Sequence, residues 1–348
     1  MSVSPYLAHV PTRQAGLTLV ELMVAMALSL ILMAGVLTIF ASSKVTSQLQ
    51  AALSTVQENG RHALYTLVRE IRGAGYSGCA GIEPTLVNLI ANNPPDGITG
   101  FTAEEVIFGE DNVGGTNAYN AVAGTDVIRV RGAGDSLIGL IGNTIPVNAN
   151  IQTTVAKGFF SAGDILVITD CQGVDIFRAT TVSNNNNQST ITHSSSNNSS
   201  NNLSKPYNSD AFVMRFKSNT YFIRDTGRDN AAGDDILALY GYDSTVASTD
   251  PKVDAIELVD GVEDMQITYG LDGDGNGLVD RFVDAGSVSA WADVLAVKLS
   301  LLVNSVENGD RENVTYNFLG ASITPTDPTD FRLRQEMTST VTLRNRVQ

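Results

Sequence analysis

From Leu17 to Ala41 the only charged residue is Glu21, and no proline occurs between Leu17 and Arg72. Nothing in that span forces the backbone out of a helix. As a helix the apolar run alone is about 37 Å long, enough to cross a hydrocarbon core of roughly 30 Å with some tilt. The pattern then changes without breaking. Val45, Leu49, Ala52, Leu53, Val56, Ala63, Leu64, Leu67, Val68 and Ile71 recur at steps of three and four, which keeps one apolar stripe on a helix. Lys44, Gln48, Gln57, Glu58, Arg61 and Arg69 fall largely between them as a polar face. Gly73-Ala74-Gly75 supplies the stop. One helix of about 56 residues, roughly 84 Å long, is the expectation. Its first half suits lipid, and its second half suits the underside of a globular domain.

A carboxylate in such a helix is costly, about 2.5–3.5 kcal/mol at the membrane centre on insertion scales. A lone Glu21 therefore marks a function and asks for a partner. The preceding residues hold one basic residue, Arg13, and no acid, as suits the cytoplasmic side of a membrane. A secretory signal peptide places its small-residue cleavage site after the apolar stretch. Here Gly16 stands before it.

Gly16-Leu17-Thr18-Leu19-Val20-Glu21 resembles the class III leader of type IV prepilins and type II secretion pseudopilins. The resemblance implies that a prepilin peptidase removes residues 1–16, cutting after Gly16. It then methylates Leu17, where the family usually has Phe. It also implies a partner for Glu21, the N-terminal amine of a neighbouring subunit, with register selection as the main benefit. Low dielectric strengthens such a pair and desolvation offsets much of that gain. A plain signal anchor with a tolerated Glu near its cytoplasmic end is the competing reading.

The chain has 348 residues and a net charge of −15. The length gives room for one sizeable globular domain, or two small ones, beyond the anchor. The charge argues against non-specific binding of nucleic acid or anionic lipid by that part. Cys79 and Cys171 are the two cysteines, both beyond the membrane segment. With the N-terminus inside they face an oxidising compartment, where a disulfide is the natural state. Two free buried thiols are the alternative.

After about Ser77 the texture becomes short apolar segments separated by Gly, Asn and Asp. Residues 126–130, 164–169, 211–216, 221–224, 235–240, 262–269, 294–303 and 338–346 read as strands. The expected class is α+β, a long N-terminal helix against a mainly antiparallel β domain. Its parts are residues 17–41 in the membrane, 42–75 as the periplasmic half of the helix, and 76–348 as the β-rich domain. The Ser/Asn-rich tract at 183–204 reads as a mobile loop unable to bury a core.

Tyr65–Arg72 with Gly73–Cys79, Val262–Gly270 and Val341–Arg346 are similar to segments of PilW-type minor pilins. That resemblance implies a subunit held in the inner membrane, with its domain in the periplasm, until it joins a type IV pilus. Its partners would be other minor pilins, the major pilin and a tip adhesin. Its role would lie in priming or the tip complex, supporting adhesion, twitching or DNA uptake. A J-type minor pseudopilin of type II secretion shares the leader, helix and β architecture. A membrane-anchored enzyme or binding protein with a borrowed pilin-like anchor is a reading from another class.

Asp272-Gly-Asp274-Gly-Asn276-Gly277-Leu278-Val-Asp280 is the candidate metal site. Alternating Asp, Asp and Asn side chains can converge on calcium, with Gly277 allowing the turn. Leu278 would offer its carbonyl and Asp280 a further oxygen. The match to an EF-hand loop fails at the twelfth position, where Val283 stands for the bidentate Glu. A solvated Gly/Asp hairpin is the other reading. Gly73–Gly78 spells GxGxxG but ends a helix instead of opening one, so the dinucleotide context is missing. The three histidines, His9, His62 and His193, neighbour no nucleophile arrangement. No catalytic activity and no required cofactor are expected. Trp291 reads either as core or as a partner anchor.

Overall fold

The computed structural model describes residues 16–346, apart from 83–85, 95–97, 99, 143, 146–147, 155–157, 186–187 and 246–249. Residues 1–15, with His9 and Arg13, lie outside the described residues. The chain divides into two compact units, Met1–Ala51 and Ala52–Gln348. Helix α1 (Leu19–Arg72) contributes to both.

In the first unit every apolar residue from Leu17 to Phe40 is exposed, and α1 is long and apolar enough to cross a membrane. The hydroxyls of Ser29 and Thr38 donate back to the carbonyls of Ala25 and Gly35 at 2.7 and 2.8 Å. They are thereby satisfied within the helix, as lipid demands. In the second unit α1 buries Ala52, Val56, Ala63, Leu67 and Ile71 from the stripe read in the sequence, together with Gly60, while Leu64 and Val68 are half-buried and Leu53 is exposed. The helix ends at Arg72, and Gly75 takes φ +74°, the left-handed turn that glycine allows at a helix end.

The strands, in chain order, begin with β1 (Val87–Leu89), β2 (Ile107–Glu110), β3 (Val127–Ala133), β4 (Ile138–Gly139), β5 (Asn150–Thr153) and β6 (Ile165–Thr169). Then come β7 (Val174–Arg178), β8 (Thr181–Asn185), β9 (Gln188–Thr192), β10 (Phe212–Asp229), β11 (Asp235–Asp243) and β12 (Ile256–Asp260). The last are β13 (Val262–Leu271), β14 (Arg281–Val283), β15 (Val294–Asn304), β16 (Tyr316–Phe318), β17 (Ala321–Ile323) and β18 (Arg334–Thr342).

One sheet runs β1-β7-β6-β10-β11-β12, with β2, β3 and β4 joined through β10. A second runs β14-β13-β15-β18, a third β5-β9-β8, and β16 pairs with β17. Only β1 with β7 is parallel among the described pairs, so the α+β class with a mainly antiparallel domain is what the chain adopts. β6 is buried on both faces. Ile165 and Val167 join Phe101, Val106 and Phe216 in one core, while Leu166 and Ile168 join Phe177, Ile191 and Tyr207 in another. The period-two alternation of a strand divides its side chains between the two.

Three expectations need correction. Residues 211–216 and 221–224 are one continuous strand, β10, because Lys217–Thr220 between them pair with β3. The last strand ends at Thr342 rather than Arg346, and Leu343 to Arg346 form a turn. The Ser/Asn tract forms the β8–β9 hairpin and a pinned segment after it, where composition predicted a loop without a core. Its few apolar residues are well placed, with Ile191 and Leu203 inside a core cluster. Buried Asn198 accepts from the Arg178 N–H at 2.7 Å and returns a bond to the Arg178 carbonyl. Buried Asp175 accepts from the N–H and hydroxyl of Ser204 and from the Tyr207 hydroxyl. Amide and hydroxyl side chains thus supply partners that a count of apolar residues does not register.

Two buried ionisable groups pull stability in opposite directions with pH. Burial pushes the Asp126 carboxyl up to about 7, against N–H bonds from Asn112 and Ile267 that favour its charged form. Its contribution is complete below the unfolded value of about 3.9 and is lost as pH rises through about 7. His193 is fully buried against Phe177, and neither ring nitrogen has a partner among the described residues. Burial pushes its imidazole below 6.5, so the support of its neutral form is fully present above the unfolded value and is lost as pH falls from there through the lower folded value. His193→Leu is expected to raise stability by about 1–3 kcal/mol. The gain should be larger at pH 5 than at pH 8, and chemical denaturation at the two pH values measures it.

Candidate functional site

The N-terminal motif is built by local hydrogen bonding. Thr18 precedes the first residue of α1, and its hydroxyl accepts the Glu21 N–H at 3.2 Å. Glu21 Oε2 in return accepts the Thr18 N–H and the Thr18 hydroxyl, each at 2.9 Å. This is a capping box, in which cap and carboxylate satisfy each other's orphan donors. It also puts the negative charge at the helix end that favours it. The sequence-level resemblance supplied only a partner from another subunit. The nearer one, Thr18, was visible as Thr-x-x-Glu. Gly16 and Leu17 lie just ahead of the cap, outside the helix.

Cys79 and Cys171 are joined in a disulfide with Cα atoms 4.6 Å apart. The bond ties the segment after α1 to the turn between β6 and β7.

The acidic loop joins β13 to β14, and strands flank it on both sides. Oxygens of Asp272, Asp274 and Asp280 all lie within 4.8 Å of one another. The loop's own N–H groups already serve them. Gly277 and Asn276 donate to the two Asp272 oxygens at 2.8 and 3.0 Å, Asn276 also donates to Asp274, and Gly273 donates to Asp280. The bond from Gly277, with that from Asn276, holds the Asp272 carboxyl below its ordinary value. Asn276 Oδ1 accepts from the Leu278 N–H, and the Leu278 side chain is exposed. The predicted ligand residues therefore cluster, on a loop that holds its shape through its own amides.

Trp291 packs edge-on against Tyr269 at 4.9 Å and against Phe108 at 5.1 Å. Its backbone N–H donates to Glu104. Arg346 reaches the carbonyls of Trp291, Val294 and Ala103. Burial pushes its guanidinium down to about 10. The aromatic cluster is closed by the C-terminal turn.

Residues 220–345 match the family described as Type IV Pilus-assembly protein W, and residues 11–37 match the prokaryotic N-terminal methylation motif. The chain is thus similar to the PilW family over its C-terminal third and carries the N-terminal motif of type IV pilin-like proteins. No curated protein and no solved structure matches it. The PilW-family region runs from the middle of β10 through β18, and so contains the acidic loop and Trp291. The methylation motif contains Gly16, Leu17, Thr18 and Glu21. Both cysteines lie outside the two matched stretches.

Proposed function

We propose that this chain is a minor pilin, processed after Gly16, methylated on Leu17 and anchored in the inner membrane by residues 17–41 with its β domain in the periplasm. It then enters a priming or tip complex with other minor pilins, the major pilin and a tip adhesin, and supports adhesion, twitching or DNA uptake without catalytic activity of its own. One observation carries the reading. A methylation motif sits on a capped, membrane-length helix, in a chain that also carries the PilW region. Co-expression with a prepilin peptidase should shorten the chain by its leader and leave N-methyl-Leu17, read by mass spectrometry. The mature chain should then be recovered from sheared filaments together with minor pilins. A chain that is never shortened would count against the reading.

The acidic loop supports a smaller proposal, that calcium binds through Asp272, Asp274, Asn276, Asp280 and the Leu278 carbonyl. Three converging carboxylates favour it, and extracellular calcium is plentiful enough for a weak site. Millimolar calcium is expected to raise the melting temperature, and Asp272→Asn to abolish that rise. An unchanged melting temperature would assign the loop to a turn.

A further inference from the structure

The second sheet ends on β18, whose outward edge has no partner among the described residues. The hydrogen bonds at its two ends show which groups are free. Leu343 N–H donates to the Leu295 carbonyl, and Ser305 N–H donates to the Leu333 carbonyl. Between them the antiparallel register of β15 and β18 runs without a shift. Odd-numbered residues of β18 therefore bond to β15, and the N–H and C=O groups of Thr338, Thr340 and Thr342 point away from the sheet. All three threonines are exposed.

Edge strands are normally guarded by proline, lysine, a bulge or a covering element. β18 has no proline, lysine or bulge, and Met337-Thr-Ser-Thr-Val-Thr-Leu343 is uncharged. Its charged residues, Arg334 and Glu336, stand at the start, where Arg334 is held by Glu263 and Asp330. Tyr316 of β16 lies against Arg334 at that same end, and β16 does not hydrogen-bond to β18.

Beside the edge runs a groove between α1 and β18, lined by Gln57, Arg61, Leu64, Tyr65, Val68 and Met337. Odd-numbered side chains of β18 face α1. Met337 packs over Gly60, where an added Cβ would collide with its sulfur. A strand added to β18 would turn every second side chain into the groove. A row of backbone donors and acceptors is complementary to another extended backbone, the recognition mode of strand addition.

We propose that the β18 edge receives an extended strand from a neighbouring pilus subunit, paired to Thr338–Thr342, with alternate apolar side chains against Leu64 and Val68. A second copy of β18 fits less well, because its own odd-numbered side chains are already turned onto its own α1. This inference rests on the pilin reading.

The test compares residue-resolved amide exchange of the full mature chain in detergent and in sheared filaments. The amides of Thr338, Thr340 and Thr342 should exchange about tenfold or more slowly in filaments. Thr340→Pro removes an N–H that the fold does not use, which an edge strand tolerates, and should cut recovery in filaments several-fold with little change in melting temperature. Thr340→Lys keeps the backbone intact and should act in the same direction. Ser339→Pro, which breaks a bond to β15, should lower the melting temperature itself. Filament-bound chain whose three amides exchange as fast as in detergent would overturn the strand proposal and leave the pilin reading standing. Protection already present in a purified dimer would assign the edge to a second copy and overturn it as well. Wild-type chain absent from filaments would overturn both.

Discussion

Replacing Cys79 and Cys171 together by alanine is expected to cost about 4–5 kcal/mol of stability, on the chain-entropy account of a cross-link spanning 92 residues. The two ends differ in their local conformation. Cys171 sits at φ +68°, a left-handed geometry that costs an L-residue about 1–2 kcal/mol. Gly78, next to Cys79, takes φ +86°, and a Cβ there would lie 2.6 Å from the Thr169 methyl. The bond thus holds a close backbone approach that side chains would otherwise resist. Cys79→Ala with Cys171→Gly should lose less than the double alanine, because glycine adopts the left-handed position freely. Chemical denaturation of the full chain in detergent, with and without reductant, measures both differences. A midpoint unmoved by reduction would mean that the fold closes this loop without help from the bond.

The long helix was legible because its signal is one-dimensional. A stripe at three- and four-residue steps, no proline and a Gly-Ala-Gly stop need no knowledge of tertiary partners, and the helix ends at Arg72 as that pattern requires. Long alternating strands were legible for the same reason, as β13 and β15 show. The hairpin at β8–β9 was not. Burial of the Ser/Asn tract rests on Ile191 in the hairpin, on Leu203 in the segment after it, and on partners of that segment such as Asp175 and Arg178 that no local pattern connects to it. The tract looks solvated because its hydrogen-bond partners are distant in sequence.

The candidate sites divide along the same line. Asp272, Asp274 and Asp280 cluster because they share one tight loop, so spacing alone was informative. The Trp291–Tyr269–Phe108 cluster and its closure by Arg346 join four distant segments, and composition offers no route to it. The free edge of β18 is a property of sheet order, which short-range periodicity does not carry.

Glu21→Ala and Glu21→Gln are both expected to leave cleavage after Gly16 intact and to deplete the chain from filaments severely. The geometry separates two jobs for this carboxylate. Oε2 takes both Thr18 donors, while Oε1 has no partner among the described residues. Glutamine keeps an acceptor for the cap and loses the charge; alanine loses both. A cap alone is worth about 0.5–2 kcal/mol, and removing a charge from lipid should ease insertion. If helix initiation were the whole role, glutamine would behave like wild type or better. If the carboxylate must meet the methylated amine of a neighbouring subunit, glutamine fails as alanine does, because an amide cannot neutralise an ammonium. The docking role that the prepilin resemblance implies requires the second pattern. Mass spectrometry of the mature chain reports cleavage, and immunoblots of sheared filaments report incorporation. A glutamine variant recovered at wild-type levels would confine Glu21 to the cap, and loss of cleavage in either variant would move its role to peptidase recognition. A severe glutamine defect with cleavage intact would also locate the subunit. Its carboxylate would need an amine from an adjacent chain, so it would sit beneath another subunit and not at the extreme tip.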